Sequence, residues 1–168
     1  MGDLVITLPY LQSLKTKLPY AKIHLLTRSE VSDIPRSLAL FDNVIRIGGG
    51  RDARIQFFLA VLMLPYLWWQ RYEVVLDLQN HKISRMLRYM LFPSCWSEFD
   101  RSSKITAGER TRQTIAAILV GDIQIERVQT HEAKSSELLL IHGWDGKSPL
   151  VVLNPAGAFI TRNWIKHD

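Results

Sequence analysis

A single cysteine, Cys95, stands in 168 residues. It excludes an intrachain disulfide framework and fits a reducing compartment, so the expected location is cytoplasmic. No basic stretch followed by a short apolar core and a cleavage site is visible, and so no secretory signal. The longest apolar run, Phe57 to Trp69, falls short of the ~20 residues that a membrane-spanning helix needs. The Gly48-Gly49-Gly50 run lacks the G-x-G-x-x-G spacing and the Lys-Ser/Thr of a P-loop. It reads as an ordinary loop rather than a phosphate cradle. No internal repeat, low-complexity tract or nucleic-acid motif occurs, and no basic stripe is interleaved with aromatics. Nucleic acid is therefore not an expected partner.

What is present fits a soluble globular domain: 47% apolar and 22% charged residues, in a chain long enough to bury a core. The net charge of +5 suits an anionic partner without choosing between phosphate groups, an anionic membrane surface and nucleic acid. The chain opens on Gly2-Asp3 and turns directly into a helical pattern. Leu4, Leu8, Leu11, Leu14 and Leu18 recur at spacings of three and four and share one face. Pro9 is expected to kink this helix. Asp3 has two readings: an N-cap, or a carboxylate at a helix start facing a ligand cleft.

Strand and helix patterns then alternate. Ala21–Thr27, Asn43–Ile47, Tyr72–Leu78 and Cys95–Asp100 read as strands. Tyr72–Leu78 has the continuous apolar character of a parallel strand covered on both faces. Between the first two strands, Ser29 to Phe41 is short and irregular, with Ser29 or Ser32 as a cap. Arg54–Arg71 reads as a helix with Pro65 kinking or ending it. Three readings of its apolar stretch stand: a buried helix, which is favoured, an interfacial membrane anchor using Trp68 and Trp69, or a docking surface. Lys82–Leu91 reads as a helix with Ile83, Met86, Leu87 and Met90 inward. Lys82, Arg85 and Arg88 line another face, as a solvated surface or an anion-binding patch. Further helices are expected over Glu109–Val120 and His131–His142, the second with Gly143 as its C′ residue. Asp145–Pro149 is a linker, and Leu150–Leu153 is a fresh buried strand. This alternation argues for a Rossmann-like parallel α/β sheet with helices on both faces.

Three blocks resemble glycosyltransferase family 9, the lipopolysaccharide heptosyltransferases and their relatives. They are Met1-Gly2-Asp3-Leu4-Val5-Ile6-Thr7-Leu8-Pro9, Tyr72-Glu73-Val74-Val75-Leu76-Asp77-Leu78-Gln79 with Lys82 and Ser84, and Val151 to Ala158 continuing through Arg162-Asn163-Trp164. The resemblance covers nearly the whole chain but about half of a family member. It implies the acceptor half of a GT-B enzyme, residues 1–147, followed at 148–168 by the beginning of a donor-binding domain. It further implies an inverting, metal-independent transfer of heptose or a related sugar from a nucleotide-sugar donor to a lipopolysaccharide or other glycan acceptor. No cofactor is implied beyond the donor.

In that reading Asp3 is the general base, and Gly2, Gln79, Lys82 and Arg85 contact the acceptor. Arg162 stands where the family has a Lys near the donor phosphates. Phe57–Trp69 offers peripheral contact with the inner membrane. The chain departs from the family pattern in three places. The strand expected ahead of Gly2-Asp3 is missing, the Asn154–Phe159 stretch differs, and the donor domain does not continue past Asp168. The isolated chain is therefore expected to be an inactive fragment. The alternative is a non-catalytic α/β module that binds a phosphorylated ligand or partner through Lys82, Arg85 and Arg88.

Overall fold

The computed structural model describes residues 2–50, 52–119, 123–126, 128, 140–141 and 143–148, without the side chains of Gly2 and Asp3. The elements run α1 (Gly2–Lys17), β1 (His24–Arg28), a short α2 (Asp33–Arg36), β2 (Asn43–Ile47), α3 (Ala53–Trp69), β3 (Val74–Asp77), α4 (Lys82–Leu91), β4 (Cys95–Glu98) and α5 (Ala107–Ala116). Two units are distinguished, Met1–His131 and Glu132–Asp168, and the elements just named belong to the first. In the second, Gly143 takes φ 93°, and its N–H donates to the Leu140 carbonyl at 3.0 Å, as a C′ glycine does. The rest of the helix expected over His131–His142, the strand expected at Leu150–Leu153, and Arg162 lie outside the described residues.

The chemistry of each segment accounts for its local form. α1 begins at Gly2, so Asp3 is an early residue of the first turn rather than the N-cap. Pro9 lies within α1, where it has no N–H to offer the preceding turn. Its own carbonyl accepts from the Glu126 N–H at 3.4 Å. α3 is capped by Asp52, whose Oδ1 accepts from the N–H groups of Arg54 (2.8 Å) and Ile55 (3.3 Å). The glycine run fits against this helix start. Gly49 has φ +94°, and a Cβ there would lie 2.9 Å from the Gln56 nitrogen, so the turn requires glycine.

Sheet pairing is parallel throughout, but it is split. β1 pairs with β2, His24 opposite Asn43 and Arg28 opposite Ile47. β3 pairs with β4, Val74 opposite Cys95 and Asp77 opposite Glu98. Helices cover both faces. On one side, Leu8, Tyr10, Leu11 and Leu14 of α1 pack with Ile115 of α5, Leu38 and Leu40, and Leu76 and Leu78 lie against them. On the other, Ala60, Leu64 and Leu67 of α3 pack with Leu87 of α4 and with Ile45 and Ile47 of β2, and Leu26 of β1 lies against that cluster. This is the Rossmann-like α/β layering expected from the alternation of elements.

Two sequence expectations need correction here. α3 is not buried throughout. Ala60, Leu64 and Leu67 form its inner stripe, while Phe58 (62% exposed), Leu62 (59%) and Trp69 (85%) face outward. β2 and α4 lie along one side of the helix and leave the other open. In α4, Met90 is exposed rather than inward, and Arg88 is buried in its neighbourhood. Arg88 pairs with Glu98 on β4, and its guanidinium lies 3.9 Å from the centroid of the Trp96 ring and 5.1 Å from that of Tyr89. The Lys82/Arg85/Arg88 face is therefore not a three-cation patch, because its third member is committed to β4.

Candidate functional site

In a parallel α/β layer, ligands bind beyond the carboxyl ends of the strands. A cavity of about 350 Å³ opens there, lined by Leu78 and Gln79 after β3 and by Phe99 and Arg101 after β4. Ile6 and Thr7 of α1, His81, and Ala107, Arg110 and Thr111 of α5 complete the wall. A second cavity, of about 280 Å³, lies around Pro35, Phe41 and Asn43. It borders the amino end of β2, the wrong end of the strands for this kind of site.

The β3 end is built around Asp77. Its side chain is buried, and Oδ1 accepts from the N–H groups of Gln79 (3.2 Å) and Asn80 (2.7 Å). This fixes a tight turn in which Asn80 adopts φ 45°, a left-handed conformation that Asn tolerates well. The other carboxylate oxygen of Asp77 is buried without a hydrogen-bond partner among the described residues. Asn80 ties the two loops together, its Nδ2 donating to the Phe99 carbonyl at 2.9 Å. His81 then opens α4 in a capping box with Ser84.

The opposite wall is cationic. The Arg110 guanidinium lies 4.6 Å from the centroid of the Phe99 ring and donates through Nη1 to the Asp100 carbonyl at 3.0 Å. Its Nε is buried without a partner among the described residues. Arg101 is exposed at the rim. Asp100 shapes this loop: its Oδ1 accepts from the Ser102 hydroxyl and from the N–H groups of Ser102 and Ser103. The Ser102 hydroxyl first, and then these N–H groups, hold its carboxyl below the usual range. Among the described residues the lining holds two guanidinium groups and no carboxylate, so it favours a polar ligand carrying negative charge.

Of the residues anticipated from sequence, Gln79 lines the cavity. Gly2 and Asp3 open α1 one turn before Ile6 and Thr7, which also line it. The Asp3 side chain lies outside what is described. Arg85 is engaged by Asn80, donating to Oδ1 from Nε (3.2 Å) and Nη2 (3.0 Å). Lys82 is exposed in the first turn of α4, outside the lining. Arg101 and Arg110 are not among the residues anticipated from sequence. The missed signal was a pair of arginines flanking the Thr106 N-cap of α5, which brings both to the strand ends. Among the described residues no three His, Cys, Asp or Glu side chains gather as a metal site.

No protein-family model matches the chain, and no curated protein matches it by sequence. Its fold is similar to that of a solved structure, a glycosyl transferase family 9 protein from Veillonella parvula DSM 2008, with a TM-score of 0.72 at 14% sequence identity. The match covers 98% of this chain and 53% of that one, so the chain spans about half of the protein it resembles.

Proposed function

From a fold shared with one half of a GT-B glycosyltransferase, we propose that this chain is the acceptor-side lobe of an inverting sugar transferase. The observation that carries the reading is the cationic cavity at the carboxyl ends of β3 and β4, beside the start of α1. The acceptor is a glycan bearing anionic groups, lipopolysaccharide being the type that the sequence resemblance suggests. Arg101 and Arg110 recognise its charge, and Gln79 offers a neutral hydrogen-bonding amide. Asp3 takes the proton from the attacking hydroxyl as the new glycosidic bond forms. The early turn of a helix favours the ionised carboxylate needed for that task. Lys82 and Arg85 extend the acceptor surface outward. The donor is a nucleotide sugar whose phosphates Arg162 meets. Residues 1–147 form the acceptor domain, and 148–168 begin the donor domain.

Titration of the chain with a phosphorylated hexose, followed by amide chemical shifts, tests the acceptor site. Shifts are expected at Gln79, Arg101 and Thr111. Arg101→Met is expected to weaken binding about tenfold or more, as for loss of a charge-assisted hydrogen bond. Unchanged affinity, or shifts confined to the Lys82 end of α4, would remove the cavity from the acceptor site.

The open face of α3 supports a second element of the reading, peripheral contact with the inner membrane. No helix among the described residues is long and apolar enough to cross a bilayer. Phe58, Leu62 and Trp69 nevertheless give α3 an outward apolar stripe, the form of an interfacial anchor. The chain is expected to float with vesicles containing anionic lipid, and replacing these three residues by serine should lower the bound fraction roughly tenfold. Equal flotation of the two forms argues against the contact. Trp68 is a poor choice of probe, because its indole N–H donates to the Met90 carbonyl at 2.6 Å and so joins α3 to α4.

A further inference from the structure

The β3–β4 register ends at Asp77 opposite Glu98, yet the two chains stay fastened just beyond it. The Phe99 N–H donates to the Asp77 carbonyl at 2.8 Å. The Phe99 carbonyl accepts from the Asn80 side-chain amide at 2.9 Å. The first bond alone would act as a pivot, about which the loop after β4 could swing. The second stops that swing, so the Asn80 side chain supplies a rung where the backbone ladder has run out.

The Asn80 amide is itself held in one orientation. Its Oδ1 accepts from Arg85 Nε (3.2 Å) and Nη2 (3.0 Å), which turns Nδ2 towards the Phe99 carbonyl. The backbone beneath it is fixed by Asp77, whose Oδ1 accepts from the Asn80 N–H at 2.7 Å while Asn80 takes φ 45°.

What this clip holds in place is the Arg110 guanidinium. Among the described residues, the contacts of that group all belong to residues 99–101: the Phe99 ring at 4.6 Å, the Asp100 carbonyl at 3.0 Å and the Arg101 carbonyl at 3.5 Å. α5 delivers the Arg110 side chain, but the loop after β4 decides where its charge sits. The clip ties that loop to the turn carrying Gln79, the neutral amide of the facing wall.

We infer that Asn80 is a positioning residue that sets the selectivity of this cavity. By fixing the Arg110 wall against Gln79, it fits the cavity to a ligand that carries an anionic group and hydroxyl groups together, in preference to a bare anion. The inference rests on the acceptor reading of the cavity. A bare anion needs the guanidinium wall alone. A sugar phosphate must reach both walls at once, so its affinity depends on their being held apart at the right spacing before it binds.

Asn80→Gly tests this, because glycine accepts φ 45° without strain and so keeps the turn while losing the clip. In the ligand-free chain the buried Arg110 Nε–H is expected to exchange with water roughly tenfold faster than in the unmodified chain. Affinity for a hexose monophosphate should fall about tenfold, and affinity for inorganic phosphate by less than about twofold. Asn80→Asp keeps the Arg85 contact but has no N–H to give Phe99, and should release Arg110 Nε–H in the same way. Equal changes in affinity for the two anions, or an Nε–H that stays protected in both variants, would overturn the proposal. Binding of neither anion by the unmodified chain would instead overturn the acceptor reading, and the selectivity with it.

Discussion

Glu98→Ala is expected to lower the free energy of unfolding by about 3 kcal/mol, the cost of leaving a buried cation without its partner. Arg88→Met should cost roughly half as much, although it breaks the same pair. The asymmetry follows from burial. The Arg88 side chain is 2% exposed, and its Nε already lacks a partner among the described residues. The Glu98 side chain is 40% exposed. Removing Glu98 strands a charge that water does not reach, whereas removing Arg88 returns a carboxylate to solvent. Methionine also fills most of the space beside Trp96 and Tyr89. Urea unfolding of the two variants gives the comparison. Equal losses, or a larger loss for Arg88→Met, would mean that packing on the aromatic rings outweighs the ion pair.

Asp3→Asn is expected to lower glycosyl transfer by ~10²–10⁴-fold in a two-lobed enzyme containing this chain, while acceptor affinity stays within about twofold. Asparagine keeps the size and polarity of the side chain but cannot accept the hydroxyl proton. The loss should therefore fall on kcat rather than on KM. A variant that kept full turnover would remove Asp3 from the chemistry and leave the helix start a structural feature. A matching fall in acceptor affinity would instead make Asp3 a binding group.

Much of the element order was legible because local patterns agreed with the final environment. β2 at Asn43–Ile47 and α4 at Lys82–Leu91 fall where turn residues and apolar spacing put them. α3 runs through Pro65, which packing tolerates within the helix. What sequence could not supply was the identity of the neighbour across each face. A spacing of three puts Lys82, Arg85 and Arg88 on one helical face, but it does not say that Trp96 and Glu98 of β4 come to meet the last of them. For the same reason, the apolar content of 57–69 announced a helix without showing that one side would stay open. The cavity depended on the return of a later loop. Asp100 folds the 101–103 turn and Phe99 stacks under Arg110, so Arg101, between the expected elements, and Arg110, in the expected helix Glu109–Val120, become its cationic wall. Gln79 was anticipated through the family resemblance of the Tyr72–Gln79 block, and it lies at a strand end, where ligands bind in a parallel α/β layer.

The split pairing also bears on how the molecule assembles. Each ladder joins residues only about twenty positions apart along the chain, a short loop closure for parallel strands. β1-α2-β2 and β3-α4-β4 are thus two low-contact-order modules, each able to gain its own ladder early. The distant contacts, such as His24 with Tyr72, are left to the step that unites them. The larger loop-closure cost then falls on the contacts that join the two pieces rather than on the ladder within either one.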